Sequence, residues 1–125
     1  MTLAYLCILV AALLPIACAG IAKAGFKGYD NHSPRDWLAR QEGFRARANA
    51  AQANSWEALP FFAAAVIVAH QLGAPQGRLD LLAIAFVVAR LVYIACYVAN
   101  RATLRSIAWA VGFALAIAIF FSGSW

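Results

Sequence analysis

The chain has 125 residues, of which 65% are hydrophobic and only 12% are charged, and its mean hydropathy is +0.75. An ordinary soluble domain is about 45–50% apolar and about 25% charged, so this composition excludes a soluble globular domain, a disordered chain and a coiled coil. A net charge of +5 would suggest nucleic-acid binding in a soluble protein. In a chain this apolar it indicates orientation in a membrane instead, and we expect no nucleic-acid partner.

Four apolar segments follow one another, at about residues 3–22, 48–72, 79–99 and 105–121. A membrane span needs about 20 apolar residues and must satisfy its own backbone hydrogen bonds, so each segment predicts a spanning helix. The sequence therefore predicts an all-α, integral membrane four-helix bundle, up-down-up-down, forming one domain over residues 1–125. A cleaved signal peptide is the alternative for the first segment, and the lack of Lys and Arg from Met1 to Cys7 disfavours it.

Basic residues are distributed unequally between the two sides of the predicted membrane. Arg78 lies between the second and third spans, and Arg90 lies within the third. The other Lys and Arg residues lie in the first and third loops: Lys23, Lys27, Arg35, Arg40, Arg45, Arg47, Arg101 and Arg105. Cytoplasmic loops carry the excess of positive charge. We therefore expect a multi-pass membrane protein with both termini outside the cytoplasm.

The first loop is the only sizeable polar segment. Its sequence predicts a short helix that begins at Pro34 and is capped by Ser33, because proline suits the first helical turn. His32 is expected to be a solvated loop residue. No second histidine or cysteine lies near it in the sequence, so we predict no metal site.

Two charged residues lie well inside predicted spans. Glu57 is about ten residues, or about 15 Å, into the second span, and Arg90 is about nine residues, or about 14 Å, from Ala99. The matching depths on antiparallel helices predict a buried ion pair. Asn54 and Phe61 share the helical face of Glu57. Such a pair either holds the helices together or shapes a polar cavity, and both interpretations remain open.

A polar stripe continues from Arg90 along the third span. Tyr93, Tyr97 and Arg101 follow at helical spacing, and Arg105 begins the fourth span. One interpretation is a belt of aromatic residues at the membrane interface. The other is a cytoplasmic pocket for an anionic, amphipathic ligand, because arginines supply positive charge and tyrosine hydroxyls supply hydrogen-bond donors.

Three blocks of the sequence resemble the membrane-associated eicosanoid and glutathione metabolism family, known as MAPEG. The family signature of the second helix is R-A-x-x-N-x-x-E-x-x-P, and residues 50–60 here are AAQANSWEALP. The block from Ala89 to Tyr97 is similar to the third helix of the family, and residues 104–106 are similar to the start of its fourth helix. The resemblance covers about residues 46–109. It is to small bacterial members of the family, which implies a bacterial inner membrane.

The resemblance implies a homotrimer of four-helix subunits that binds glutathione, as co-substrate, near the cytoplasmic face between subunits. By motif match and from the polar stripe, the candidate glutathione-binding residues are Asn54, Glu57, Arg90, Tyr93, Tyr97 and Arg101. Arg105 would be the catalytic residue, because a cation beside the thiol sulfur favours the reactive thiolate. Ala50 replaces the arginine that opens the family signature, and Arg47 is the candidate to compensate for it.

The sequence thus leads to two hypotheses. The first is a glutathione-dependent transferase or peroxidase whose lipophilic small-molecule substrate enters from membrane lipid. The alternative is a non-catalytic membrane protein that keeps the fold and binds a lipid or a partner complex. Ala50 favours the alternative, whereas Arg105 with Tyr93 and Tyr97 favours the enzyme. A transporter or channel is disfavoured because four short helices leave little room for a gate.

Overall fold

A computed structural model describes residues 1–26 and 28–125. These residues form five α-helices and a final 3-10 turn: α1 (Leu3–Lys23), α2 (Pro34–Ala39), α3 (Gly43–Gln71), α4 (Gln76–Val98), α5 (Ala102–Phe121) and the turn Ser122–Ser124. The described residues contain no strand, so the all-α prediction is confirmed. Lys27, which the sequence assigns to the basic first loop, lies outside the described residues.

Three helical segments are long and apolar enough to cross a membrane: Leu3–Lys23, Gln76–Val98 and Ala102–Ser124. Among the described residues, α3 is long enough to cross a membrane but not apolar enough, because its first half carries polar side chains such as Asn49, Gln52 and Glu57. The predicted second span, residues 48–72, therefore corresponds to a helix that is long enough but too polar. The four-span bundle stays a prediction.

Arginine side chains join helix ends at one end of the molecule. Arg45, at the start of α3, donates hydrogen bonds to the carbonyls of Ala22 and Ala24, at 2.8 and 2.7 Å. Arg47 donates from Nε to the carbonyl of Val98 at 3.1 Å. Helix carbonyls at a C-terminus lack intrahelical donors, so these arginines satisfy the ends of α1 and α4. We call this end of the molecule, with α2 and the start of α5, the basic end.

The start of α1 is capped at the opposite end. Thr2 Oγ1 accepts a hydrogen bond from the backbone N–H of Tyr5 at 3.1 Å. Asp80 Oδ1, near the start of α4, accepts one from the N–H of Ala4 at 2.9 Å. A carboxylate at a helix N-terminus satisfies free donors and complements the helix dipole. Asp80 thereby fixes the start of α1 beside the start of α4.

The C-terminal segment is held by Arg78. Its Nη2 donates to the carbonyl of Ser122 at 2.6 Å and also to the carbonyl of Trp125. The guanidinium carbon lies 3.8 Å from the centroid of the Trp125 ring. The start of α4 and the end of α5 are therefore neighbours, so these two helices run in opposite directions.

Two residues in left-handed conformation end α3 and α4. Gly73 has φ of +76° and Asn100 has φ of +62°, a region that glycine and asparagine adopt most readily. After Asn100, the N–H of Arg101 returns to the carbonyl of Cys96 at 2.8 Å. This closes the last turn of α4 and starts α5 at once, so that the beginning of α5 lies beside the end of α4.

Small side chains let the helices approach closely. α1 and α5 each pack against both α3 and α4. Ala65 and Ala83 are fully buried and Ala116 is 2% exposed, as expected of the small residues in these segments. Phe62 and Phe86 stack at the centre, with ring centroids 4.0 Å apart and planes 7° from parallel.

The short helix α2 begins at Pro34, as predicted, but the predicted side-chain cap is wrong. Ser33 makes no side-chain hydrogen bond, and its backbone carbonyl instead accepts from the N–H of Trp37 at 3.0 Å. Trp37 is 3% exposed and meets the rings of Phe26 and Tyr29 edge-on. The burial of this indole, rather than a cap, holds α2 against the rest of the basic end.

Replacing Asp80 tests whether it fixes the start of α1. Asp80→Ala should lower the free energy of unfolding by about 0.5–2 kcal/mol, because the N–H of Ala4 loses its acceptor. Asp80→Asn should behave more like the parent protein, since its amide oxygen can still accept. Unfolding in mixed detergent micelles, followed by circular dichroism, measures the difference. Leu81→Ala, at a side chain 67% exposed, is the control. Equal stability of Asp80→Ala and the parent would contradict this role.

Candidate functional site

Arg90 of α4 is the polar centre of the molecule and is 3% exposed. Its Nη2 donates to Oδ1 of Asn54 at 2.7 Å and to Oγ of Ser55 at 3.4 Å, both on α3. The guanidinium carbon lies 4.2 Å from the centroid of the Tyr93 ring. A buried charge without partners is very costly, so these neutral acceptors and the aromatic face are what make the position tolerable.

The predicted ion pair between Glu57 and Arg90 is wrong. No hydrogen bond or salt bridge joins these two residues, both of which the structure describes. Glu57 is exposed, although it lines the same cavity as Arg90. Matching depths place two residues at one height along their helices, but they do not fix the rotation of each helix. In the structure, α3 is rotated so that Asn54 and Ser55, rather than Glu57, face the guanidinium of Arg90.

Four side chains form a continuous row towards the basic end, which we call the arginine–tyrosine row. Arg90 lies over the ring of Tyr93, and Tyr93 meets Tyr97 edge-on with centroids 5.7 Å apart. Arg105, from α5, lies over the ring of Tyr97 with its guanidinium carbon 4.5 Å from the centroid. A cation over an aromatic face is attracted to it, so each tyrosine orients an arginine. The two cations are thus held at either end of a tyrosine pair.

Two cavities adjoin this row. The first, which we call the polar cavity, has a volume of about 260 Å³ and is lined by Tyr93, Tyr97, Arg105, Ser106 and Trp109. The second, the aromatic cavity, has about 200 Å³ and is lined by Asn54, Glu57, Ala58, Phe61, Phe86, Arg90, Trp109, Gly112, Phe113 and Ala116. Trp109 belongs to both linings. The molecule therefore offers a polar space with a cation next to an apolar space with aromatic walls.

The structure brings together most of the residues that the sequence selects. Asn54, Glu57 and Arg90 line the aromatic cavity, and Tyr93, Tyr97 and Arg105 line the polar cavity. Arg101 is separate: it is exposed at the turn between α4 and α5 and lines neither cavity. Its backbone carbonyl accepts from the N–H of Arg105 at 2.9 Å.

Arg47 is the candidate to compensate for Ala50, and that role stays a prediction. Its side chain is engaged with the carbonyl of Val98 and lines neither cavity. Among the arginines of the described chain, Arg90 and Arg105 are the two that face these cavities.

Several side chains of the site have no role in the predictions from sequence. Ser55 is a second acceptor for Arg90, and Phe86 and Phe113 form walls of the aromatic cavity. The four-residue spacing of Trp109 and Phe113 places both on one face of α5, and this signal could have identified them as neighbours. Nothing in the sequence indicates that Phe86, from another helix, meets them.

Comparison with known proteins gives one match. The model of the MAPEG family matches residues 3–125, which is essentially the whole chain. The chain matches no curated protein and no solved structure. The matched range includes both cavities and the complete arginine–tyrosine row.

Removing Asn54 distinguishes the observed partner of Arg90 from the predicted one. Asn54→Ala should lower the free energy of unfolding by about 1.5–3 kcal/mol, because a buried charged group loses its shortest hydrogen bond. Glu57→Gln should have a smaller effect, since Glu57 is exposed and makes no hydrogen bond to Arg90. Thermal and denaturant unfolding in the same detergent compare the two variants.

A double-mutant cycle completes this test. Arg90→Leu should be destabilising by itself, because Asn54 and Ser55 are left without their donor. Combining it with Asn54→Ala should cost less than the sum of the two single changes. If the coupling free energy between Arg90 and Glu57 were larger than that between Arg90 and Asn54, the result would support the predicted ion pair instead.

Proposed function

We propose that this chain, which belongs to the MAPEG family, is a glutathione-dependent membrane enzyme, a transferase or peroxidase of lipophilic electrophiles. The observation that carries the proposal is the position of Arg105. Its guanidinium is held over Tyr97 in the lining of the polar cavity, and that cavity shares Trp109 with the aromatic cavity. A cation at that boundary can stabilise a thiolate where an apolar substrate meets it.

The polar cavity offers glutathione a cation and two tyrosine hydroxyls, and the neighbouring aromatic cavity offers a carboxylate. Glutathione carries two carboxylates, one ammonium group and the thiol. Arg105 would donate to the thiolate, and the hydroxyls of Tyr93 and Tyr97 would donate to the thiolate or to the peptide. Glu57, exposed near Arg90, is the acidic group available for the ammonium. The thiol proton passes to solvent, and the remaining sulfur lone pair attacks the electrophile.

The proposed membrane setting follows from polarity. We place α3 across the membrane with α1, α4 and α5, completing the four-helix up-down-up-down bundle. The basic end faces the cytoplasm of a bacterial inner membrane, and both termini lie outside it, because the loop arginines concentrate at that end. Glutathione then reaches the polar cavity from the cytoplasm, and the electrophile reaches the aromatic cavity from lipid.

A homotrimer would cover the polar side of α3. Glu57 is exposed on a single chain, and Trp56 beside it is 48% exposed. A carboxylate is costly against lipid, so another protein chain is the more favourable neighbour for this face. The family resemblance supplies the number of chains, and glutathione would then be bound between subunits.

The non-catalytic alternative rests on one observation. Ala50 occupies the position of the arginine that opens the family signature, and Arg47 is committed to the end of α4. The site then has fewer cations for an anionic peptide. In this alternative the chain keeps the fold and binds a lipid or a partner complex through the same cavities.

The assembly proposal predicts a trimer in mild detergent. Native mass spectrometry should give a mass three times that of the chain. Glu57→Trp should weaken the trimer, since it changes the exposed face of α3 without touching the hydrogen bonds of Arg90. Leu81→Trp, at an exposed position on α4, is the matched control and should leave the trimer unchanged. Only monomers or dimers in the parent protein would refute the proposal.

The catalytic proposal predicts that Arg105 cannot be replaced by lysine. Arg105→Lys should fold and assemble normally but lower kcat/KM for conjugation roughly ten- to hundredfold, because lysine lacks the planar guanidinium that stacks on Tyr97 and donates to sulfur. Arg101→Lys is the control and should stay close to the parent, since Arg101 lines neither cavity. The assay uses glutathione with a chlorinated nitrobenzene.

Glutathione titration, followed by thermal unfolding, separates binding from chemistry in the same variants. The parent should be stabilised saturably, by about 2.7 kcal/mol at a glutathione concentration of 100 Kd. An unchanged turnover in Arg105→Lys would remove the catalytic role of Arg105. No stabilisation of the parent, together with no turnover, would select the non-catalytic alternative.

A further inference from the structure

We infer that the C-terminal end of α1 binds the phosphodiester headgroup of an anionic phospholipid, and that an acyl chain of this lipid lies along the exposed face of the same helix. Lys23, at the centre of this site, lines neither the polar nor the aromatic cavity. The lipid site is therefore separate from the proposed reaction and does not depend on it.

Two cations are held at the end of α1. Lys23 belongs to the last turn of this helix, and its Nζ lies 4.6 Å from the centroid of the Tyr29 ring. Arg45 reaches the residues on either side of Lys23, because it donates hydrogen bonds to the carbonyls of Ala22 and Ala24. Both positive charges are therefore anchored beside the same helical turn.

Two aromatic rings hold the guanidinium of Arg45 in place. Its carbon lies 5.0 Å from the centroid of the Phe26 ring and 4.7 Å from that of the Phe44 ring. These phenylalanines are 40% and 41% exposed, so part of each ring faces outwards. Cations are attracted to aromatic faces, and the two kinds of side chain occur together where a membrane meets water.

The protein does not neutralise these cations. No salt bridge or hydrogen bond joins Lys23 or Arg45 to a carboxylate within residues 1–26 and 28–125. The C-terminus of a helix carries only about half a negative charge, so an excess of positive charge remains at this end of α1. The lysine ammonium and the N–H groups that Arg45 does not use are donors, which suit the oxygens of a phosphodiester.

An apolar stripe runs along α1 and ends at Lys23. Its members recur every three or four residues, which places them on one face of the helix. They are Leu6, Leu9, Leu13, Ile16, Gly20 and Lys23. The four large apolar side chains are 42%, 56%, 51% and 58% exposed in that order. Since this face has no polar side chain before Lys23, lipid is its favourable neighbour, in contrast to the polar face of α3.

Gly20 leaves a gap in the stripe directly before Lys23. A Cβ at Gly20 would have no other heavy atom within 4 Å, so the space beside the helix is open there. The glycerol of a phospholipid lies between its headgroup and its chains, which is the level of this gap. The hydrocarbon of one leaflet is about 15 Å thick, half of about 30 Å, and the ten residues from Leu13 to Lys23 rise by about the same length.

The charges select an anionic lipid over a zwitterionic one. Phosphatidylglycerol carries a phosphodiester and no positive group, whereas phosphatidylcholine adds a trimethylammonium group that Lys23 and Arg45 repel. Basic residues near a membrane surface attract anionic lipids for the same reason. The site therefore distinguishes lipids by the net charge of their headgroups.

Native mass spectrometry in mild detergent tests this site, with dioctanoyl phosphatidylglycerol and dioctanoyl phosphatidylcholine as probes. Phosphatidylglycerol should bind saturably, with one lipid per chain, and phosphatidylcholine should bind roughly tenfold more weakly because its headgroup has no net charge. Glycerophosphoglycerol, the same headgroup without acyl chains, should also bind roughly tenfold more weakly, since it cannot cover the apolar stripe. Equal affinity for the two lipids would overturn the inference. Equal affinity for the free headgroup would reduce the site to one for soluble anions and would overturn it as well.

Two variants separate the contribution of charge from that of the gap. Lys23→Gln should weaken phosphatidylglycerol binding roughly fivefold, the value of one basic side chain at an anionic surface. Gly20→Leu should weaken it roughly fivefold or more, because the leucine side chain occupies the place of the glycerol. Arg40→Gln is the matched control: it removes an exposed arginine of the basic end, at the end of α2, and should change the affinity less than about twofold.

These measurements contain no glutathione, so they are independent of the proposed enzyme. Selective phosphatidylglycerol binding that depends on Lys23 and Gly20 in a protein without conjugating activity would refute the enzyme and keep the lipid site. Phosphatidylglycerol binding that stays unchanged in both Lys23→Gln and Gly20→Leu would overturn the lipid site, whatever the activity of the protein with glutathione.

Discussion

The structure depends on the burial of one guanidinium. Arg90 lies among helices with 3% of its surface exposed, and a buried cation needs polar partners. Asn54 and Ser55 must therefore face it, which fixes the rotation of α3 against α4. Tyr93, on the same helix, covers its other side. The packing of α3 against α4 is thus set by the needs of a single polar group.

Four of the other arginines have partners of two kinds. Three of them, Arg45, Arg47 and Arg78, donate hydrogen bonds to backbone carbonyls at the ends of helices or of the chain. Their guanidinium groups therefore satisfy backbone acceptors. A backbone carbonyl without a hydrogen-bond donor is energetically unfavourable next to lipid. This explains why long basic side chains donate hydrogen bonds to these carbonyls. Arg105 differs because its guanidinium faces a cavity and stacks on a tyrosine, leaving donors for a ligand.

The two cavities give the site its chemical character. One offers a cation and hydroxyl groups, and the other offers aromatic rings with a few donors at one end. A reaction between a polar thiol and an apolar electrophile needs both kinds of surface at a single boundary. Trp109 forms that boundary. The polar face of α3 is left uncovered in the isolated chain, and we propose that a neighbouring subunit covers it.

The sequence by itself determined the helical class, the helix positions to within a few residues, and the family to which the chain belongs. Those features follow from local rules: apolar length, helical spacing, proline and glycine at ends, and residue types at fixed intervals. It also selected seven candidate site residues, partly from helical spacing and partly from the family resemblance: Asn54, Glu57, Arg90, Tyr93, Tyr97, Arg101 and Arg105.

Only the tertiary structure decided which of these residues touch. It paired Arg90 with Asn54 and Ser55 rather than with Glu57, left Arg101 at an exposed turn, and brought Phe86 to the wall shared with Phe113. The reason is geometrical. Spacing along a helix gives the height and face of a residue relative to its own axis, whereas contacts between helices depend on how each helix is rotated and how closely small residues allow it to approach.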